Sequence, residues 1–180
     1  MRNINAWLFM TLDGVVEAPE NWVMPDDEMF ASITAGYGDA DALLLGRRTY
    51  EIFAASWPER GDEVDNAEWM NTTRKYVAST TLTSPQWQNS TVLEGDLAES
   101  VAELKAQPGK NIIVNGSATL VRSLLDAKLL DELRLFVHPV LVGKGAQLFD
   151  AAGAQVELTL ADTQPYQNGV VSLTYRGATH

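Results

Sequence analysis

The stretch Asn111-Ile-Ile-Val-Asn-Gly-Ser-Ala-Thr-Leu-Val-Arg-Ser-Leu-Leu125 decides the fold, because in it a short apolar strand runs into a turn of small residues that opens a helix. Such a turn leaves backbone N–H groups at the helix N-terminus free to face an anion, and its small side chains let a ligand come close. A second junction of this kind lies upstream at Ala42-Leu-Leu-Leu-Gly-Arg-Arg-Thr-Tyr50, where the turn also carries arginines. The two junctions together indicate a phosphorylated small molecule bound across one sheet.

Composition and charge narrow the class of protein. The chain has 180 residues and a formal net charge of −11. The length predicts a single domain over residues 1–180, and the charge opposes nonspecific binding to nucleic acid or to anionic membranes. No cysteine is present and the two histidines, His138 and His180, are far apart, so we expect neither disulfides nor a histidine-based metal site. The N-terminus lacks the apolar segment of a signal peptide, and no run is long enough to span a membrane, which predicts a cytoplasmic location.

Hydrophobic periodicity predicts strands that alternate with helices and are then followed by strands alone. One predicted helix begins at Asp26, and three others cover 47–55, 96–106 and 118–127. The predicted strands are 4–11, 42–45, 75–79, 91–93, 112–114, 132–137, 156–160 and 170–175, with Asn168-Gly169 as a hairpin-type turn before the last. This order predicts an α/β protein with a mixed, mostly parallel sheet between helices and with antiparallel strands at the C-terminal end.

Six segments, taken in chain order, resemble the dihydrofolate reductase-like superfamily, and most closely the branch that includes the reductase domain of bifunctional riboflavin-biosynthesis enzymes. The segments are Thr11-Leu-Asp-Gly-Val-Val16, Leu45-Gly-Arg-Arg-Thr-Tyr50, Val77-Ala-Ser-Thr80, Val114-Asn-Gly-Ser-Ala-Thr-Leu120, Asp131-Glu-Leu-Arg-Leu135 and His138-Pro-Val-Leu-Val-Gly-Lys-Gly-Ala-Gln-Leu-Phe149. The resemblance covers nearly the whole chain. It implies the three-layer dihydrofolate reductase-like fold, NADPH as the cofactor and a homodimer in which the final hairpin and region 138–149 supply apolar contacts.

The resemblance also implies which residues hold the cofactor. The Gly-Arg-x-Thr turn would grip its phosphates, which agrees with the fixed charge and planar fork of arginine. The hydroxyl pair at the end of the third strand would lie beside the adenosine 2′-phosphate, with Arg74 and Lys75 adding charge, and the turn after Val114 would pack against the pyrophosphate and nicotinamide. The implied cofactor-binding residues are Gly46, Arg47, Thr49, Ser79, Thr80, Asn115, Gly116, Ser117 and Ala118.

Each of these assignments has a structural alternative. Arg47 could be an ordinary surface arginine after a glycine turn, and Ser79 and Thr80 could be ordinary polar residues that flank a strand. Ser117 stands where the family often carries a second glycine, and it could serve as the N-cap of the following helix. We interpret Asp13 as a structural residue that accepts hydrogen bonds from loop amides.

Reduction of a C=N or C=O bond needs a proton as well as a hydride. True dihydrofolate reductases hold the pterin with a carboxylate at the start of the first helix, and Asp27 stands in a similar context two residues after Pro25. Asp27 is therefore the candidate catalytic residue. The alternative is that Asp26 caps the helix while Asp27 favours its dipole. We interpret His138 as structural, and the resemblance places Phe9 and Val16 near the nicotinamide.

The leading functional hypothesis is an NADPH-dependent reductase that transfers a hydride to a small planar substrate. A pteridine fits this description, as does a pyrimidine such as 5-amino-6-ribosylaminouracil phosphate. The alternatives are dihydrofolate reductase proper and a non-catalytic nucleotide-binding dimer. The sequence holds no His-x-Glu with a Pro-Cys-x-x-Cys segment, which argues against the bifunctional riboflavin enzyme because its zinc deaminase needs them.

Overall fold

A computed structural model describes residues 1–61, 64–149 and 155–177. A short 3-10 helix covers Pro19–Asn21. The α-helices are α1 (Asp27–Tyr37), α2 (Arg47–Ser56), α3 (Ala67–Thr72), α4 (Leu97–Ala106) and α5 (Ala118–Asp126). The strands are β1 (Ile4–Thr11), β2 (Ala40–Gly46), β3 (Arg74–Ala78), β4 (Ser90–Leu93), β5 (Asn111–Val114), β6 (Glu132–His138), β7 (Leu158–Pro165) and β8 (Val171–Gly177). Among the residues so described, none of the helices combines the length and apolar character of a bilayer span.

All eight strands form one sheet in the order β4-β3-β2-β5-β1-β6-β8-β7. The first six positions are parallel, and β8 runs antiparallel to both β6 and β7. The change of direction follows from the short turn between β7 and β8, because two antiparallel strands can be joined directly whereas parallel strands need a crossover. Gly169 supplies the positive φ of 86° in that turn.

Helices cover both faces of the sheet and enclose two hydrophobic cores. Along β1 the side chains alternate, so that Ala6 and Leu8 enter one core and Trp7 enters the other. Helices α4 and α5 pack on the first face, and helices α1, α2 and α3 pack on the second. Along the chain, the connections β1-α1-β2 and β2-α2-α3-β3 each lead to a strand nearer the β4 edge of the sheet. The connections through α4 and α5 lead to strands farther from that edge. Because crossovers between parallel strands are right-handed, connections that run in opposite directions place their helices on opposite faces of the sheet.

The fold predicted from the sequence is confirmed: this is a dihydrofolate reductase-like three-layer architecture with a mostly parallel sheet and antiparallel C-terminal strands. Some boundaries differ from the prediction. Strand β3 ends at Ala78, so that Ser79 begins a turn, and β7 extends to Pro165 instead of ending at residue 160. Helix α3 has no counterpart among the predicted helices.

Lys75 and Arg74 lie at the amino end of β3, so the expectation that they add charge beside Ser79 and Thr80 is wrong. The Lys75 side chain is fully buried, and its ammonium group donates to the carbonyl oxygens of Asn71, Thr73 and Gln88 at 3.0, 2.8 and 3.2 Å. Its Nζ also lies 4.2 Å from the centre of the Trp87 ring. Burial lowers the pKa of Lys75 to about 8. This lysine ties the start of β3 to its neighbours.

Candidate active site

The predicted site residues follow strands that lie side by side, and they gather at one edge of the sheet. This carboxyl edge, where the parallel strands end, carries the turns after β3, β2, β5, β1 and β6 in that spatial order. With strands about 4.8 Å apart, the five turns span roughly 19 Å. Ligands of open α/β sheets bind outside the carboxyl ends of the strands, where the chain connections diverge in opposite directions. Here that divergence lies between β2 and β5, which connect onward to opposite faces.

The two glycine turns after β2 and β5 are in direct contact. The Gly46 N–H donates to the Gly116 carbonyl oxygen at 3.0 Å, and a Cβ placed on Gly46 would lie 2.5 Å from the Ser117 hydroxyl oxygen. Gly116 has φ 124°, which side chains rarely tolerate, and a Cβ there would lie 2.9 Å from Thr49 Oγ1. The peptide bond between Gly116 and Ser117 is cis. Both turns therefore need glycine for their close approach.

The helices that leave these turns present their N-termini at the same edge. Gly46 occupies the N-cap position of α2 and supplies no side-chain cap, so the first amides of this helix are available to an anion. Helix α5 starts at Ala118, and Ser117 caps it by accepting a hydrogen bond from the Leu120 amide at 3.4 Å. The capping alternative for Ser117 is therefore present in the structure, and its hydroxyl hydrogen is still able to donate to a ligand.

Two arginines stand at the start of α2 and have different partners. Arg47 is half-exposed and its Nη1 lies 3.2 Å from Glu51 Oε1, one helical turn away. Arg48 donates to Glu17 Oε1 at 2.6 Å. The amide of Ala146 and the Arg48 guanidinium lower the pKa of the Glu17 carboxyl. Arg48 thus holds the loop around Ala146, which we call the 140s loop, through Glu17. An exposed pair such as Arg47 and Glu51 contributes little stability and can open to a ligand.

A cleft with a volume of about 400 Å³ lies beyond the ends of β3 and β4. We call it the β3–β4 cleft, and it is lined by Ser79, Thr80, Leu82, Thr83, Val92, Leu93, Glu94 and Gly95. The Ser79 hydroxyl oxygen accepts hydrogen bonds from the amides of Thr81 and Leu82 at 3.2 and 3.0 Å. Because those bonds use the oxygen only, the Ser79 hydroxyl hydrogen is available for a ligand in this cleft.

Asn115 follows β5 on the face of the sheet that α1 covers. Its Oδ1 accepts from the Tyr37 hydroxyl at 3.4 Å, and its Nδ2 donates to the Trp7 carbonyl oxygen at 3.4 Å. Burial raises the pKa of Tyr37 to about 12, so this phenol stays protonated and can keep donating. Asn115 therefore joins α1 to the glycine turn that follows it.

The start of α1 lies across the carboxyl edge from the glycine turns. Asp26 caps this helix by accepting from the Met29 amide at 2.9 Å, as the structural alternative for this segment expected, and Asp27 is exposed at the first helical position. One turn further on, Phe30 meets the half-buried Phe9 with ring centres 6.4 Å apart. The Phe30 side chain is 37% exposed. Asp27 and Phe30 are three residues apart and share one side of the helix, where a planar molecule could contact both.

The loop between β1 and α1 is anchored by side chains whose roles the sequence indicates only in part. Asp13 accepts from the Thr11 hydroxyl at 2.5 Å and from the Gly143 amide at 2.7 Å, and these bonds lower the pKa of its carboxyl. The structural interpretation of Asp13 is thus supported. The sequence does not point to Glu17, since a lone glutamate in a loop carries no signal of its distant partner in the 140s loop.

His138 is fully buried at the carboxyl end of β6. Its Nδ1 accepts a hydrogen bond from the Met24 amide at 3.3 Å, and the centres of the His138 and Trp22 rings lie 5.5 Å apart. Its Nε2 has no hydrogen-bond partner among the described residues. Burial lowers the pKa of His138, so the neutral ring is favoured. His180, the second histidine of the chain, lies outside the described residues.

Comparison with known proteins agrees with this architecture. The sequence profile of the RibD C-terminal domain matches residues 2–172, so the chain belongs to this family. An uncharacterized protein of Bacillus subtilis, YyaP, is 30% identical over 97% of this chain and 94% of its own length.

Solved structures that share the fold include the following two. A Shewanella protein that is provisionally assigned to riboflavin biosynthesis superposes with a TM-score of 0.79, at 21% identity over 99% of this chain and all of that one. A dihydrofolate reductase from Enterococcus faecalis, solved with NADP(H), superposes with a TM-score of 0.67, at 16% identity over 98% of this chain and 97% of that one. At these identities the likeness establishes the fold alone.

Proposed function

We propose that this protein is an NADPH-dependent reductase that transfers a hydride to a small planar substrate, a pteridine or a pyrimidine such as 5-amino-6-ribosylaminouracil phosphate. One observation carries the proposal: the hydrogen bond between the Gly46 amide and the Gly116 carbonyl oxygen. It joins two strand-to-helix turns, so that two helix N-termini and Arg47 face one edge of the sheet. Two partial positive dipole ends and one guanidinium at the same place suit a pyrophosphate.

The residues fit a reduced dinucleotide along its whole length. Arg47 and the first amides of α2 would bind phosphate, with Thr49 beside them. Turn 115–118 would pack against the pyrophosphate through backbone that only Gly116 can supply in that conformation. The hydroxyls of Ser79 and Thr80 would receive the adenosine end in the β3–β4 cleft. The reduced nicotinamide, when bound, supplies the hydride.

The substrate would lie on the α1 side of the carboxyl edge. Phe9 and Phe30 together offer partly exposed ring surface, and planar heterocycles stack on such surface. Asp27 stands beside Phe30 and would orient the substrate and deliver a proton, directly or through water. Its matched control is Asp26, whose carboxylate is engaged in the cap. We expect Asp27→Asn to lower kcat at least tenfold with unchanged NADPH affinity, and Asp26→Asn, which keeps the capping oxygen, to leave both unchanged.

The phosphate assignment is tested by titrating NADPH against intrinsic fluorescence for the wild type and Arg47→Ala. Loss of one charge-assisted phosphate contact should weaken binding by ~1.5–3 kcal/mol, or roughly ten- to a hundredfold. Arg176→Ala is the matched control, because it removes the same charge from β8, where Arg176 pairs with Glu132 at 3.1 Å. Equal NADPH affinity in the wild type and Arg47→Ala would show that the phosphate does not bind there.

Catalysis is separated from binding by a screen of pteridines, pyrimidines and quinones for NADPH oxidation. A reductase consumes NADPH with some acceptor, whereas a non-catalytic binding module binds NADPH and never oxidises it. We further propose that the protein works in the cytoplasm as a homodimer. Exposed apolar side chains at Leu141, Phe149 and Leu160 support the second point, since they lie in the 138–149 region and on edge strand β7.

A further inference from the structure

The β3–β4 cleft holds one charged side chain, and that side chain is acidic. The hydroxyl groups of Ser79, Thr80 and Thr83 line the cleft together with the exposed carboxylate of Glu94, and no lysine or arginine is among the described residues that line it. A pocket built to bind a phosphate dianion normally presents cations, and above all arginine. The composition of this cleft instead suits a sugar, whose hydroxyls can donate to a carboxylate.

The position of the cleft makes it the adenosine end of the cofactor site, an assignment that rests on the proposed function. Gly46 pairs with Ala78 in the sheet, so Arg47 and Ser79 leave neighbouring strands side by side. The turn at Gly116 lies on the opposite side of β2. A dinucleotide with its pyrophosphate at the two helix N-termini and its nicotinamide towards β1 therefore directs its adenosine ribose to the cleft beyond β3.

The charged side chains around that ribose leave a net negative charge. Arg47 is the cation that leaves the adjacent strand, and it is already paired with Glu51 at 3.2 Å. Glu94 adds a negative charge on the other side of the cleft. The 2′-phosphate that distinguishes NADPH from NADH would bring a further charge of about −1.5 to −2. In the dinucleotide sites of Rossmann folds, an acidic side chain binds the ribose 2′-hydroxyl, whereas an arginine accommodates the 2′-phosphate.

We propose that Glu94 is a specificity-determining residue that accepts a hydrogen bond from the adenosine ribose of NADH and repels the 2′-phosphate of NADPH. The protein consequently uses both dinucleotides, with affinities for NADPH and NADH that lie within tenfold of each other. Arg47 would bind the pyrophosphate that both dinucleotides share, so Glu94 is the charged side chain of the β3–β4 cleft that distinguishes between them.

The expected effect follows from Coulomb's law. A carboxylate and a phosphate of charge about −1.7 that lie about 7 Å apart in a water-like dielectric repel each other by an amount equal to about a fivefold change in affinity. Glu94→Gln removes that repulsion and keeps the size of the side chain. Glu94→Lys reverses its sign and should give roughly a twenty-five-fold change. Glu103→Gln is the matched control, because it removes an exposed glutamate two turns along α4, beyond about one Debye length at physiological salt.

The experiment titrates NADPH and NADH separately against the wild type and the three variants by fluorescence, and compares the ratio of Kd for NADH to Kd for NADPH. We expect a wild-type ratio below ten, a ratio about five times larger in Glu94→Gln through tighter NADPH binding, a still larger ratio in Glu94→Lys, and no change in Glu103→Gln. Raising the salt concentration should shrink these differences, since the effect is electrostatic.

Two results overturn the inference and leave the proposed function intact. One is a wild-type ratio of ten or more, and the other is a ratio in Glu94→Gln equal to that of the wild type while both proteins bind NADPH. A different result, the failure of the wild type to bind either dinucleotide, removes the proposed function itself and the inference with it.

Discussion

Replacing Gly46 with alanine tests the contact between the two glycine turns on which the proposed site depends. Gly46 has φ −71° and ψ 155°, which alanine adopts freely. Any cost of Gly46→Ala must therefore come from its neighbours and not from the backbone. The new Cβ would lie 2.5 Å from Ser117 Oγ and 3.1 Å from both Ser117 Cβ and the Ser117 amide nitrogen.

The magnitude can be worked out from these distances. The serine hydroxyl could rotate away from the Cβ at the expense of its cap on α5, but the two contacts at 3.1 Å involve atoms that cannot rotate, so the turns must separate by a few tenths of an ångström. Overpacking of this kind costs about 1–3 kcal/mol. Alanine gains about 0.4–1 kcal/mol by restricting the unfolded chain. The net loss in the free energy of unfolding should be about 1–2 kcal/mol.

The assay is urea unfolding followed by circular dichroism, with a double-mutant cycle. Gly177→Ala is the control, since nothing lies within 4 Å of a Cβ at Gly177, and it should be neutral or slightly stabilising. Ser117→Gly removes both the hydroxyl and the Cβ, so adding it to Gly46→Ala should restore about 1 kcal/mol relative to additivity. Equal stabilities of Gly46→Ala and Gly177→Ala, together with a coupling energy of zero, would refute the close approach of the two turns.

Three further outcomes are expected. Between the lowered pKa of about 8 and the ordinary value of 10.5, Lys75 binds fewer protons in the folded state than in the unfolded state. The free energy of unfolding of the wild type, measured relative to Lys75→Met, should therefore rise with pH across that window. Burial lowers the pKa of His138 from 6.5, so the unfolded state gains protons first on acidification, and the wild type should lose stability below about pH 6.5 more steeply than His138→Gln. Leu160 is 49% exposed on edge strand β7, and Leu160→Lys should convert the proposed homodimer to a monomer in light scattering, whereas Ile52→Lys on α2, also exposed, should not.

The sequence predicts the strand-to-helix junctions because each is a local event. An apolar run that ends in glycine and is followed by apolar residues at helical spacing describes both β2-α2 and β5-α5, and the observed boundaries lie within two residues of the predicted ones. Helix α3 escapes prediction because it has only six residues and starts from Asn66 in a left-handed conformation with no side-chain cap. A helix this short owes its stability to tertiary packing, here of the buried Met70.

Long-range contacts are beyond the reach of the sequence for a different reason. Lys75 is expected beside a phosphate, because a lysine at the end of a strand is usually exposed. The carbonyl groups that surround it come from Asn71, Thr73 and Gln88, and nothing in the sequence shows that Gln88 returns to that place. The sequence likewise does not reveal that β2 and β5 are neighbours, since about 65 residues separate them and their pairing is visible only in the order of the sheet.

The net charge of −11 affects how the proposed site would bind an anionic ligand. A dinucleotide is an anion, so the field of the whole protein opposes its approach and slows association. In the proposed site, affinity must then arise from groups within a few ångströms of the phosphates. The glycine turns would supply these without adding net charge, because helix N-termini are dipoles and Arg47 is already offset by Glu51. A site of this kind discriminates by small local differences in charge. For that reason we expect a single carboxylate, Glu94 in the proposed site, to influence the choice between two cofactors that differ by one phosphate.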